Sequence, residues 1–326
     1  MTNEKIKNLK KVELHLHLDG SITKEYVKNK YKLSNEEISN KMVASEKCKN
    51  LNDYLECFDF PISIMQTEQE LKEITINLLN NLKSQNVIYA EIRFAPQFHT
   101  KKGLTQEDVI KAVLSARDCV NIKSNFILCV MRGKDNMDEN YETVNLAKKY
   151  LGKGVCAIDL AGAEAIFKTS EYHEIFEYAK KLDVPFTIHA GEADGPTSIK
   201  DAISYGAKRI GHGVRAIEDD ILLQEIIKEG IYLEVCPTSN IQTCICDTYS
   251  AHPIEKLYKM GVKTTINTDN MTVSNTTLEN EYEKLLEETN LEIEDIINMN
   301  INSINAAFIS NQEKEKLMEE IKSENK

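Results

Sequence analysis

Histidine is scarce in this chain, seven in 326 residues, yet four fall in or just after short apolar runs that read as strands. His15 and His17 stand two apart in VELHLHL. On a strand that spacing puts both imidazoles on one face. Asp19 extends the row, while Leu14, Leu16 and Leu18 face the other way. The same alternation describes a strand wetted on one face. A parallel strand, however, is covered on both faces, so inward imidazoles need partners, and a metal ion is one. TIHAGE supplies His189 and, three residues on, Glu192, with Ala190 and Gly191 allowing a sharp turn between them. RIGHG sets His212 between two glycines, as either a plain turn or a close backbone approach would require. INTDN places Asp269 at the end of a final strand. A lone histidine is more often a satisfied structural residue than a ligand; it is the recurrence at strand ends that makes the set informative.

His15, His17, His189 and Asp269 together form a nitrogen and oxygen donor set without thiolate. Such a set suits Zn²⁺, with Fe²⁺, Mn²⁺ or Co²⁺ as alternatives. A bound metal lowers the pKa of its water from about 15.7 to roughly 7. His212 would then accept the water proton or orient the hydroxide. Glu192, partly buried, would stay protonated and act as an acid. The chemistry so described is metal-assisted hydrolysis at a carbon centre.

These residues need a scaffold that brings distant strand ends together. Eight β-rich runs alternate with helical patterns: Val12–Leu18, Val87–Phe94, Phe126–Met131, Val155–Leu160, Pro185–His189, Lys208–Gly211, Tyr232–Cys236 and Val262–Asn267. Leu71, Ile74, Leu78 and Leu82 follow the 3.6-residue period, as do Tyr172, Ile175, Phe176 and Ala179. Alternating strands and helices imply a parallel sheet. Eight units in a chain of this length imply an α/β fold of the (β/α)₈ TIM-barrel type, whose catalytic groups sit at strand C-termini. An open doubly wound sheet is the other candidate, but no G-x-G-x-x-G follows a strand. The chain reads as one domain, 1–326, with a helical insertion over about 22–86 that either packs against the barrel or covers its mouth. C-terminal helices follow the last strand. Ile293, Ile296, Ile297, Ile301, Ile304 and Phe308 form a stripe, and EKEKLMEEIKSENK reads as a solvated terminal helix.

Composition excludes several function classes. Forty Lys and Arg against fifty-two Asp and Glu give a net charge of −12. That field argues against nucleic acid or an anionic membrane as partner. No apolar run is long enough for a membrane span, and MTNEKIKNLKK has no apolar core of a signal peptide. A cytoplasmic location is expected. The eight cysteines form no C-x-x-C pair and read as free, mostly buried thiols.

HLHLDGS, YAEIRFAP, IDLAGAE, HAGE, RIGHG, LEVCPTSN and INTDN, in this order from Val12 to Phe308, resemble the adenosine deaminases of the metal-dependent amidohydrolase superfamily. The resemblance implies one zinc ion per chain on His15, His17, His189 and Asp269. It implies that Glu192 protonates N1 of the purine and that His212 positions and deprotonates the attacking water. It also implies that Asp19 meets the ribose 5′-hydroxyl, that the Gly162 backbone N–H meets N3, and that Leu51, Tyr54, Leu55 and Phe58 wall the sugar. Asp159, Glu234 and Ser239 become candidates to orient His17, His212 or water, or else ordinary buried polar residues. The family usually has a second aspartate and a proline after the ligand aspartate; Asn270 and Met271 stand here. An asparagine amide can still donate a hydrogen bond to N7. The implied reaction converts adenosine or 2′-deoxyadenosine to the inosine product and ammonia, in purine salvage. The partner is a small purine nucleoside. Adenine base or another 6-aminopurine nucleoside is the alternative substrate. A catalytically silent nucleoside-binding protein is the alternative of another class, and would show a broken acid or ligand position.

Overall fold

The computed structural model describes residues 2–48 and 51–324. The described residues form eight strands: β1 (Lys11–His17), β2 (Val87–Phe94), β3 (Lys123–Met131), β4 (Val155–Ala161), β5 (Ile188–Ala190), β6 (Arg209–His212), β7 (Tyr232–Val235) and β8 (Lys263–Ile266). Neighbours pair in parallel, in the order β1-β2-β3-β4 and β5-β6-β7-β8. The two half-barrels meet at two seams, each held by an isolated bridge, Ile158 with Phe186 and Leu16 with Asp269. At the second seam the His17 N–H donates to Asp269 O at 2.7 Å, and the Asp269 N–H donates to His15 O at 2.8 Å. The backbone that joins the half-barrels thus also sets Asp269 beside two histidines.

Strand alternation sorts the side chains. In β2, Ala90, Ile92 and Phe94 join the main hydrophobic core, while Glu91 and Arg93 point into the barrel and are fully buried. Leu16 and Leu18 lie in that same core. Leu14 packs in a second cluster with Val12, Tyr89 and Ile304. The helix Glu68–Ser84 starts at Thr67, whose side chain accepts from the Glu70 N–H, and buries Leu71, Ile74, Leu78 and Leu82. It belongs to the helix layer around the sheet. Four short helices, Lys24–Tyr31, Asn35–Met42, Leu51–Leu55 and Asp59–Ile64, precede it.

The terminal helix Asn311–Glu324 differs from expectation. Leu317 and Ile321, one turn apart in a polar sequence, are buried against Val12, Leu14 and Tyr89. With the partly buried Met318, this pair docks the helix against the helix Ile293–Ala306. All eight cysteines are unpaired; Cys48, Cys129, Cys156 and Cys236 are buried, whereas Cys119 and Cys244 are exposed. None of the described helices is long and apolar enough to cross a membrane.

His99 is fully buried, and burial pushes its pKa down to about 4. A histidine whose folded pKa is depressed is neutral in the fold, while the unfolded chain takes up a proton below about 6.5. Its stabilising contribution is full above that value and is lost as pH falls toward 4. We expect His99→Leu to remove about 2 kcal/mol of the stability lost between pH 7 and pH 5. Urea unfolding of parent and variant at the two pH values checks this; equal losses would contradict it.

Candidate active site at the C-terminal mouth of the barrel

Four side chains converge, two from β1, one from β5 and one from the seam after β8. Donor atoms of His15, His17, His189 and Asp269 all lie within 4.8 Å of one another. His17 Nε2 is 3.3 Å from His189 Nε2. Asp269 Oδ1 is 3.4 Å from His17 Nε2 and 3.5 Å from His15 Nε2. At that distance the two imidazole nitrogens either share a proton or face a common cation. A tetrahedron with metal–ligand bonds of about 2.1 Å has edges of roughly 3.4 Å, and these three separations match it.

The far side of each ring explains which nitrogen faces inward. His15 Nδ1 donates to Glu234 Oε2 at 2.9 Å, which leaves His15 Nε2 as the lone pair, buried and without a hydrogen-bond partner. His189 Nδ1 lies in ion-pair contact 2.8 Å from Asp159 Oδ2, which turns its Nε2 toward the cluster. Ser239 Oγ–H donates to Asp269 Oδ2 at 2.6 Å, turning Oδ1 toward the histidines. Burial works to raise Asp269, but the hydrogen bond with His15 and the neighbouring His17 and His212 rings outweigh it and hold the carboxyl well below its ordinary value. An ionised carboxylate, two imidazoles fixed by carboxylates and an orphaned buried nitrogen fit a divalent cation.

The sequence reading linked Asp159, Glu234 and Ser239 to His17, His212 or water. The structure pairs them instead with His189, His15 and Asp269. The reason is register. Asp159 is on β4, across the seam from β5 and its His189. Glu234 is the register partner of Gly211. A Cβ at Gly211 would stand 3.1 Å from His15 Cε1. The missing side chain leaves the space through which the His15 ring reaches Glu234. The glycine before His212 therefore serves close approach. Arg93, not singled out from sequence, bridges the two carboxylates, donating to Asp159 Oδ2 at 2.9 Å and Glu234 Oε2 at 2.7 Å. Its signal was present: Arg93 and Glu91 are the inward-parity charges of YAEIRF.

Glu192 and His212 stand beside this cluster, with Glu192 Oε2 3.6 Å from His212 Nε2. Burial, then the nearby Asp269 and Glu164 carboxylates, push the Glu192 carboxyl well above its ordinary value. Burial and the His15 ring hold His212 well below the usual imidazole range. The pair is thus a protonated acid beside a neutral imidazole. His212 and Asp269 both have φ of 59°, in the left-handed region, a strained setting that surrounding contacts must hold.

Glu192 is aimed by a residue the sequence reading passed over. Glu164, in IDLAGAE, is buried and accepts four backbone N–H groups, from Gly191 at 2.7 Å, Glu192 at 3.1 Å, Ala193 at 2.7 Å and Asp194 at 3.0 Å. It also accepts the Ser198 hydroxyl at 2.6 Å. Gly191 makes the turn at φ 70°. Charge-assisted bonds of this kind are the strong ones. Glu164→Gln would face an NH₂ against backbone donors. We expect kcat to fall by about 10–100-fold with bound metal unchanged. Metal analysis and kinetics of that variant check the role; unchanged kcat would contradict it.

A cavity of about 440 Å³ opens above the cluster, within the range of small-molecule sites. Asp19 and Gly162 line it, with His17, Glu192 and Asp269 at its base. β1 ends at His17, so Asp19 begins a short 3₁₀ turn (Asp19–Ser21) instead of extending the strand. Burial raises the Asp19 pKa to about 6. Leu51, Tyr54, Leu55 and Phe58 of the insertion also line the cavity. Asn270 lies on its wall with one amide N–H engaged. Nδ2 donates to Tyr54 Oη at 3.0 Å, and Oδ1 is buried against Gly20 without a hydrogen-bond partner. The residue that departs from the usual family pattern is thus tied to the insertion.

Comparison with known proteins fits this geometry. An adenosine deaminase from Haemophilus ducreyi is 43% identical, covering 95% of each chain. One from Clostridium kluyveri is 41% identical, covering 98% of this chain and 95% of its own. Among solved structures, an adenine deaminase from Arthrobacter aurescens superposes with a TM-score of 0.86 at 24% identity, over 97% of this chain and 98% of its own, and so speaks to the fold. The adenosine deaminase family model matches residues 10–324. The chain belongs to the adenosine deaminase family.

Proposed function

We propose that this chain hydrolytically deaminates adenosine and 2′-deoxyadenosine, with one zinc ion held by His15, His17, His189 and Asp269. The observation that carries this reading is convergence: four metal-competent donors, a raised carboxyl and a neutral imidazole meet at the floor of one cavity. A divalent cation there would polarise water and bring its pKa from about 15.7 toward 7.

The chain's own groups do the rest. Glu192 gives its proton to purine N1, which makes C6 electrophilic, and takes a proton from the attacking water as the C6–O bond forms. It passes that proton to the departing amino group and recovers one from the new C6 hydroxyl as the C6–N6 bond breaks. Inosine leaves as the N1–H lactam with ammonia, and the carboxyl is as it began. His212 holds the attacking oxygen in line. Asp19 would receive the sugar 5′-hydroxyl, the Gly162 N–H would meet N3, and Asn270 with Tyr54 would close on the base. Buried walls keep bulk water away. Asp159, Glu234 and Ser239 hold the ligands. The unpaired cysteines suit a cytoplasmic enzyme.

The second reading keeps the chemistry and moves the substrate to adenine base or a modified 6-aminopurine nucleoside. The Asn270 amide gives one N–H to Tyr54 Oη and keeps a second for the purine of either substrate. A silent nucleoside-binding protein would need a defective acid or ligand position, and Glu192 and the four donors are all in place. Incubating zinc-loaded protein with adenosine, adenine and methylthioadenosine separates the three. Conversion of the adenine spectrum to that of hypoxanthine, with the highest kcat/KM on adenosine, is expected. No conversion of any of them would sink the catalytic reading.

A further inference from the structure

His212 hydrogen-bonds through its outer nitrogen, and what it meets there decides which nitrogen carries the proton. Asn240, in the helix Pro237–Gln242 after β7, places Nδ2 3.0 Å from His212 Nδ1. Asn240 Oδ1 lies 3.2 Å from His252 Nε2. The Ile254 backbone N–H reaches His252 Nδ1 at 3.1 Å. All three side chains are buried: His212 is 1% exposed, Asn240 0% and His252 4%.

Donor and acceptor matching leaves one arrangement. A backbone N–H can only donate, so His252 Nδ1 must accept and the neutral ring carries its proton on Nε2. That N–H requires an oxygen opposite it, which fixes the Asn240 amide with Oδ1 toward His252 and Nδ2 toward His212. Nδ2 can only donate, so His212 Nδ1 must accept. The neutral His212 ring then has its proton on Nε2, the nitrogen that faces Glu192. The reverse arrangement would set a His252 Nδ1–H against the Ile254 N–H. Burial, which pushes the His252 pKa down to about 3, keeps that ring neutral and the chain of bonds intact.

We propose that Asn240 and His252 are positioning residues that lock His212 in the Nε2–H tautomer, so that His212 offers the reacting atoms a hydrogen-bond donor and Glu192 alone moves protons. This rests on the deaminase reading above and narrows it: His212 orients the attacking oxygen and does not deprotonate it. The role implied for His212 by family resemblance is changed accordingly. Asn240 and His252 were not singled out from sequence because nothing local links LEVCPTSN to AHP twelve residues later.

Nitrogen-15 NMR of the full chain labelled at histidine tests this without reference to turnover. The His212 signals are assigned by their loss in His212→Gln. In the zinc-loaded parent at neutral pH, His212 should show a protonated Nε2 and a bare Nδ1. A protonated Nδ1 would overturn the proposal. Asn240→Asp is the second arm. Its carboxylate accepts from both rings and should move the His212 proton to Nδ1, with kcat on adenosine lower by about 10–100-fold and KM changed by less than about threefold. A reversed tautomer with unchanged kcat would also overturn it. A parent with the expected tautomer but no activity on any 6-aminopurine would instead defeat the deaminase reading and leave the tautomer assignment standing.

Discussion

Glu192→Gln should lower kcat on adenosine by about a thousandfold while the chain keeps its metal. In its buried setting near Asp269 and Glu164 the Glu192 carboxyl is raised well above its ordinary value, so it carries a transferable proton at neutral pH. Glutamine has the same shape and its amide can still donate a hydrogen bond. It cannot give up a proton to N1 or take one from water. The loop that holds it is fixed through backbone N–H groups on Glu164, so the substitution leaves that framework in place. Metal analysis beside single-turnover kinetics checks the prediction. Loss of metal in the variant would make Glu192 a ligand and overturn its role as acid.

Asp269→Asn should have the second large effect, weakening zinc binding by more than about 100-fold and abolishing turnover at limiting metal. Asparagine is chosen because the residue sits at φ 59°, a region asparagine tolerates, so backbone strain is held constant. The seam bridge uses only the backbone of this residue and survives. What changes is charge. Three neutral imidazoles and a neutral amide bind a divalent cation far less well than three imidazoles and a carboxylate, and Ser239 loses its ionised acceptor. Calorimetric zinc titration of parent and variant, with circular dichroism to establish that the variant is folded, measures this. Parent-like affinity would remove Asp269 from the ligand set.

Much of this was legible because strands alternate. His15 and His17, two apart in an otherwise apolar run, can share a face only by pointing into the barrel. Glu91 and Arg93 obey the same parity. What did not follow from local pattern is which inward residues meet. Glu234 was visible as a charge in LEVCP, but its reach to His15 depends on the empty space at Gly211, a register partner more than twenty residues away. Glu164 gave no signal beyond its motif, because its acceptors are used on backbone N–H groups that any sequence provides. The terminal helix was misread for a related reason. Its composition is polar, and Leu317 with Ile321 is too short an apolar pair to reveal a docked face without the surface it covers.

The most direct test of convergence is a zinc titration of chelator-stripped protein, with adenosine deamination followed by its ultraviolet spectrum at each addition. Turnover should be absent at the start, rise in proportion to added zinc and stop rising at one ion per chain. Full turnover by protein shown to hold no metal, or saturation only at two ions per chain, would contradict a single centre built on His15, His17, His189 and Asp269.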